Sequence, residues 1–439
     1  MATSKDSKDS KGPSSKAPAG KESTSKAAPA RDAADEAADR FGDNIRAGSL
    51  ASGVLTKAGA AAAVGLGATV VLGMMQGDGF KRFSYSYLTA YLWALAIGLG
   101  AVFWVTLQNL VNAKWSVALR RVGELLATSI PVLAILALPV VVPIFLGNDI
   151  MYVWANHETV AGDHVLHHKA GYLNSGFFLV RFVFYFGFWT LLGRYFLKQS
   201  LLQDKSGAAS IAERMQKVAG PGMIAFALTL TFCAFDLIMS LDPYWFSTIF
   251  GVYYFASCVL AVHATLILVL MWLQGRGRLS KSITPEHFHD LGKMMFAFTV
   301  FWAYIGFSQF MLMWYANIPE ETAWYKERFA GDWGGVSWAL LILHFVVPFF
   351  GLLSRHVKRH RKALAFWAVW VLCEIYLDMY WLVMPNVQKE ELHVHLMDIT
   401  AWIGMAGAVV AALAFAAKNV NLVPVKDPRL PRSLAFENI

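Results

Sequence analysis

The sequence predicts an all-α protein that crosses a membrane about ten times, and three observations carry that reading. Of its 439 residues, 56% are hydrophobic and only 15% charged, with a mean hydropathy of +0.45. Soluble domains carry roughly 25% charged residues. From residue 54 to residue 417 the chain is a series of apolar runs, each near the roughly 20 residues that span a hydrocarbon core. Lys and Arg gather in alternate loops, which fixes an orientation in a bilayer. Sixteen Trp and 31 Phe suit lipid-facing and interfacial surfaces better than a water-soluble core.

Residues 1–50 differ in kind from the rest of the chain. "KDSKDSKGPSSKAPAGKESTSKAAPARDAADEAADRF" is rich in Lys, Ser, Ala, Pro and Asp and has no apolar periodicity. Such a segment cannot bury enough surface to offset the entropy of ordering, so a disordered polar tail is expected. It lacks the basic start and immediate apolar core of a signal peptide. The transmembrane domain is then expected over 51–420, with a second short tail over 421–439.

The first span, 54–76, is rich in Gly and Ala ("AGAAAAVGLGATVVLGMM"); the second covers 84–108. The third, 123–146, contains Pro131, Pro139 and Pro143 and should be kinked or broken near its outer end. The fourth, 173–197, holds Arg181, and the fifth, 221–241, holds Asp236 within "FCAFDLIMSLDPYW". A charge at a helix centre costs about 2.5–3.5 kcal/mol on insertion scales, so each needs a reason. Arg181 and Asp236 lie at comparable depth. An ion pair between neighbouring helices and a place in a proton relay are both open. Asp242, followed by Pro243, suits a turn or cap as well as a proton-uptake role. Between the fourth and fifth spans, "GAASIAERMQKVAG" (207–220) reads as a short amphipathic helix at the interface.

His263 sits mid-span in the sixth, 248–273, and His344 in the eighth, 334–353. Lone histidines on separate helices are usually hydrogen-bonded core residues. A proton relay fits them too, and haem ligation by the pair fits less well. The seventh span, 294–316, places Tyr304 and Ser308 on one face with Gln309 beside it. Such groups carry protons, hold water or glue helices together. The ninth, 362–384, brings Glu374 and Asp378 onto one face a turn apart. Two carboxylates this close in a low-dielectric span form a pair able to bind and release a proton, the sharpest functional signal in the chain. The tenth span is 398–417.

Loop charge tests the count. With the N-terminal tail in the cytoplasm, the inner loops collect Lys114, Arg120, Arg121, Arg194, Lys198, Lys205, Arg214, Lys217, Arg276, Arg278, Lys281 and Lys293. Arg355, Lys358, Arg359, Arg361 and Lys362 follow, then Lys418, Lys426, Arg429 and Arg432 in the C-terminal segment. The outer loops hold only Lys81, Arg82, Lys169, Lys326, Arg328 and Lys389. A miscounted span would scramble this alternation, so ten spans with both termini cytoplasmic are expected. The outer loops 147–172, 317–335 and 386–398 are long, and either dock a partner or are simply solvated. The first of them carries His157, His164, His167 and His168.

Cys233, Cys258 and Cys373 each sit in an apolar stretch, with no metal-ligand spacing and no C-x-x-C-H. No iron–sulfur cluster, zinc site or c-type haem is expected on this chain. No phosphate loop, nucleophile elbow or hydrolytic triad is present, so redox chemistry would rely on cofactors held elsewhere.

Two stretches carry a resemblance. "FDLIMSLDPYWFSTIFGVYYF" (235–255) and "HDLGKMMFAFTVFWAYIGFSQFMLMWYANIPEE" (289–321) resemble the ActF family. These are the second large membrane subunits of alternative complex III, a bacterial quinol:cytochrome c oxidoreductase of the inner membrane. They belong to the wider NrfD/polysulfide-reductase-like group, and the likeness runs over roughly residues 80–417. It implies two four-helix bundles, from helices 2–5 and 6–9, with helices 1 and 10 peripheral. It implies partners: a sister NrfD-like membrane subunit, and multihaem cytochrome c and Fe–S subunits that hold haem c and the clusters. It also implies a supporting role with a candidate proton path, while quinol or quinone contact with this chain stays open. Polarity maps that path onto Asp236, His263, Tyr304, His344, Glu374 and Asp378. A quinone site would draw on Asp163, His167, His168 and Tyr172, though an exposed His-rich loop touching a cytochrome subunit is the competing reading. An autonomous proton-coupled transporter and an anchor for a polysulfide- or nitrite-reductase-like complex are the alternatives.

Overall fold

The computed structural model describes residues 42–438. Among them, ten helices are long and apolar enough to cross a membrane, and no strand forms beyond one isolated bridge between Arg46 and Asn421. They are α1 (Ser49–Gln76), α2 (Lys81–Leu110), α3 (Val117–Phe145), α4 (Ser175–Ser206) and α5 (Ala209–Leu237). Then come α6 (Phe250–Gly275), α7 (Pro285–Ala316), α8 (Trp333–Leu353), α9 (Arg361–Val383) and α10 (Leu396–Ala417). The protein is an all-α, multi-pass membrane protein.

The prolines act on α3 as anticipated. It consists of three pieces, Val117–Ala127, Ile130–Leu136 and Leu138–Phe145. Pro131 and Pro139 stand in the first turns of the second and third pieces, where a missing N–H breaks no helical bond. The segment 207–220 corrects the sequence reading. It is not a separate interfacial helix but the start of α5, which runs through Pro221 to Leu237. Ile211, Met215, Ala219, Gly222 and Phe226 are buried at helical spacing, so one buried stripe continues across the proline.

α2 is the hub, its most apolar window wholly buried. It touches α3, α5, α6, α9 and α10. Around it α2, α3, α4 and α5 close one four-helix bundle, and α6, α7, α8 and α9 close a second. The bundles meet chiefly along α2 and α6, where Gly100 lies so near Cys258 that a Cβ would fall 2.1 Å from its carbonyl oxygen. α1 and α10 pair with each other outside both bundles, α10 leaning on α2. That pairing explains the Gly/Ala-rich first span. A Cβ at Gly404 would meet the Leu66 nitrogen at 2.8 Å, and one at Gly407 the Ala62 nitrogen at 2.7 Å. Small residues there let the two backbones approach closely.

The end that carries the basic loops is tied down by buried charge. Residues 1–41 of the expected disordered tail lie outside the described residues, but residues 42–48 belong to the fold. The Asp43 carboxylate accepts backbone N–H groups from Ser280, Lys281 and Ser282 and the Ser282 hydroxyl. The segment after α10 likewise folds back instead of trailing away. Arg120 reaches Glu124 at 3.0 Å and Asp427 at 2.8 Å; Arg121 reaches Glu124 at 3.0 Å and Asp204 at 2.9 Å. Arg429 closes on Asp427 at 2.7 Å. Burial alone would raise the Asp427 carboxyl, but the Arg429 hydrogen bonds and the charges of Arg120 and Arg429 hold it well below the usual carboxylate range.

Candidate functional site

The second bundle encloses a polar cluster centred on Asp378 of α9, which has no exposed surface. Its Oδ1 accepts the Tyr253 hydroxyl at 2.5 Å; its Oδ2 accepts the Ser257 hydroxyl at 3.0 Å and the Trp302 Nε1–H at 3.2 Å. Tyr253 and Ser257 are one turn apart on α6, so that helix offers two donors on one face. Trp302 comes from α7. Its indole stacks on the His344 imidazole of α8, centroids 3.9 Å apart and planes 2° from parallel. All four helices of the bundle therefore contribute.

Two ionisable groups border this cage with unused valence. Glu374 sits one turn from Asp378 along α9, and its Oε2 is buried without a hydrogen-bond partner. The His344 ring nitrogens have no side-chain partner, and the nearest polar group to the ring is the Glu374 backbone. His344 occupies a π-helical turn, Leu340–Val346. Such bulges interrupt regular helices chiefly at functional positions. Towards the far end of the bundle Ser247 donates to Gln309 Oε1 at 3.0 Å, and Gln309 Nε2 donates to the Tyr325 hydroxyl at 3.1 Å. Beyond them the buried Arg328 guanidinium lies over the Trp324 ring at 3.4 Å and donates to the Leu382 carbonyl at 2.9 Å.

The residues singled out in the sequence separate into groups. Glu374, Asp378 and His344 come together. His263 is buried in the same bundle, but its Nδ1 bonds only to the Val259 carbonyl of its own helix at 2.7 Å, leaving Nε2 without a partner. Tyr304 does not join them. It is 63% exposed on the outward face of α7, and Gln309, on another face, takes the buried place. Asp236 lies in the other bundle and is fully engaged. Arg181 Nε and Nη2 grip both its oxygens at 2.9 and 2.8 Å, and the Tyr185 hydroxyl adds a bond at 3.1 Å. Arg181 also stacks on Tyr172 at 3.8 Å and donates to its carbonyl at 2.9 Å. The geometry is that of an ion pair.

The four residues considered for a quinone are not gathered into one pocket. Asp163 caps the short helix His164–Lys169, accepting the Val165 and Leu166 N–H groups, and takes the Tyr244 hydroxyl at 2.8 Å. The Leu166 N–H and Tyr244 bonds hold its carboxyl below the usual range. His167 and His168 are exposed, while Tyr172 belongs to the Arg181 site.

Tyr253, Ser257 and Trp302 were not anticipated, although the i, i+4 spacing of Tyr253 and Ser257 was available on the same terms as that of Glu374 and Asp378. Another buried pair also escaped the sequence reading. Arg82 donates to Asp398 at 2.6 Å, and the Ser86 hydroxyl reaches the other oxygen at 2.6 Å. Both charges stand at helix starts, where an exposed interfacial position was the natural reading.

The fold and these sites define a multi-pass helical membrane protein with a neutralised ion pair in one bundle and an incompletely satisfied ionisable cluster in the other. Among the described residues no cluster of His, Cys, Asp or Glu is suited to a metal ion. No family model matches the sequence, and no curated protein matches it.

Proposed function

We propose that this chain is an ActF-type integral subunit of a bacterial respiratory quinol:cytochrome c oxidoreductase, the alternative complex III, and that its second bundle conducts protons. The single observation that carries the proton role is the Asp378 cage with Glu374 and His344 beside it. Three donors fix the buried Asp378 carboxylate in place, and the Glu374 carboxylate one turn away, with an oxygen that has no partner, can exchange a proton with it. The two stretches 235–255 and 289–321 support the placement in that complex.

In this reading the basic end of the bundle faces the cytoplasm, in keeping with the loop charges. Glu374 lies about 6 Å nearer that end than Asp378, four residues at the helical rise. A proton moves from the cytoplasmic side onto Glu374 and then onto Asp378, where it relaxes the bonds from Tyr253, Ser257 and Trp302. The hydroxyls and amide of Tyr325, Gln309 and Ser247 line the onward side. The stack of His344 on Trp302 links its position to that of Asp378. The Arg181–Asp236 pair is structural. Haem c and iron–sulfur clusters reside in partner subunits, together with a sister NrfD-like membrane subunit.

The test is purification of the tagged protein from its native membranes in mild detergent, followed by the reduced-minus-oxidised spectrum and quinol-dependent cytochrome c reduction. Co-purifying c-type haem with that activity supports the reading. A haem-free protein without partners overturns it and favours an autonomous proton-coupled transporter.

A further inference from the structure

A cleft of about 790 Å³ lies apart from the polar cluster, at the basic end between the starts of α1 and α3 and the ends of α6 and α10. Its wall is apolar, formed by residues such as Val54, Ala61, Leu268, Val410 and Leu413, and its floor includes the buried Leu125. Charged groups enter its lining at two places only, Lys57 on α1 and Arg276 just past α6, and both are exposed. Trp272 is also in the lining, with the Arg276 guanidinium 5.6 Å from its ring centre. Trp272 and Arg276 at the end of α6, with Lys57 about two turns into α1, mark the region where a bilayer changes from hydrocarbon to headgroup. The volume falls within the range of small-molecule sites.

We propose that this cleft binds one anionic phospholipid of the leaflet at the basic end, with its phosphate between Lys57 and Arg276 and an acyl chain along α1 and α10. The charge balance selects that occupant. The lining contains no carboxylate and no histidine, so it offers no base to a quinol and nothing to repel a phosphate. A zwitterionic lipid would gain less from two unopposed cations. Residues 1–41 contain no Leu, Ile, Val, Trp or Tyr, so that segment offers no apolar stretch to fill the wall. The small residues that bring α1 and α10 together at Gly65 and Gly404 lie deeper along both helices. A lipid at the mouth thus completes an apolar surface that side chains of this size leave open. The inference is independent of the proposed respiratory role.

The experiment is native mass spectrometry of the delipidated full-length protein titrated with phosphatidylglycerol or phosphatidylcholine, with inorganic phosphate as a competitor. One equivalent of phosphatidylglycerol binds in preference to phosphatidylcholine, and inorganic phosphate does not displace it. Lys57→Ala and Arg276→Ala each weaken it about fivefold, the effect of one basic residue near an anionic headgroup. Ala61→Trp, which fills the wall and leaves both charges, abolishes binding of the first equivalent. Equal binding of the two lipids, indifferent to all three substitutions, overturns the proposal. So does recovery of a prenyl quinone in place of phospholipid when the protein is extracted from native membranes. Displacement by phosphate alone would do the same, because it would leave the apolar wall without a role.

Discussion

The Trp302 indole lies flat against the His344 imidazole, 3.9 Å between ring centres, while its Nε1 donates to Asp378 at 3.2 Å. One side chain from α7 thereby joins the ionisable groups of α8 and α9. The carboxylate cannot change its hydrogen bonding without bearing on the ring that packs against the histidine.

Asp378→Asn removes the proton-carrying group from the cage while keeping its size. Proton translocation by the native complex should fall at least about tenfold. The buried donors, meeting an amide that accepts through one atom only, cost the protein about 1–3 kcal/mol of stability. Tyr304→Phe, on the exposed face of α7, should leave both translocation and thermal unfolding unchanged. Proton uptake in vesicles and a melting curve in detergent check the pair of variants.

Trp302→Phe retains a ring against His344 but deletes one of the three donors to Asp378. A partial loss of translocation, smaller than that of Asp378→Asn, is expected, with about 1 kcal/mol of lost stability. A Trp302→Phe phenotype equal to that of Asp378→Asn would mean that the indole hydrogen bond, and not the carboxylate's own proton, is the element that matters.

The Arg181–Asp236 pair behaves differently if its role is structural. Asp236→Asn leaves a buried guanidinium without its counter-charge, which costs about 3–5 kcal/mol. Arg181→Met combined with Asp236→Leu should recover most of that loss, because a well-packed apolar pair is often no worse than a buried ion pair. Thermal unfolding in detergent separates the two. A double variant that folds yet loses proton translocation would assign Asp236 to the path.

Asp427 sets a pH window for the C-terminal segment. Its folded pKa lies below the ordinary 3.8, so its contribution is fully present above pH 3.8 and is lost only as pH falls through the folded value. Acidifying from pH 7 to pH 5 should therefore not increase protease access to residues 421–438, whereas Asp427→Asn should do so at pH 7. Limited proteolysis at both pH values reads this directly.

The fold is largely legible in the sequence because its cause is coarse. A roughly 20-residue apolar run flanked by charged loops has few alternatives in a bilayer, and Pro131 and Pro139 of α3 mark the first turns of its second and third pieces. The buried charges at span starts are harder to see. Arg82 and Asp398 sit where a bilayer would expose them and are covered by protein instead. Asp43 and Asp427 read as parts of polar tails because tertiary pairing leaves no local periodicity. Within the site, Glu374 and Asp378 are visible from their spacing alone. Tyr253 and Trp302 are not, since an aromatic residue in an apolar helix looks like packing until its polar atom has a partner. Tyr304 misleads for the opposite reason, its hydroxyl being equally at home facing outward.

The decisive measurement is quinol-dependent cytochrome c reduction by the native-membrane complex reconstituted in vesicles, with proton translocation recorded alongside, for the wild type and Asp378→Asn. The wild type should couple the two processes, and the variant should keep most of its electron transfer while losing translocation. Wild-type protein without that activity, or a variant that translocates protons as well as the wild type, would refute a proton path through Asp378 in a respiratory subunit.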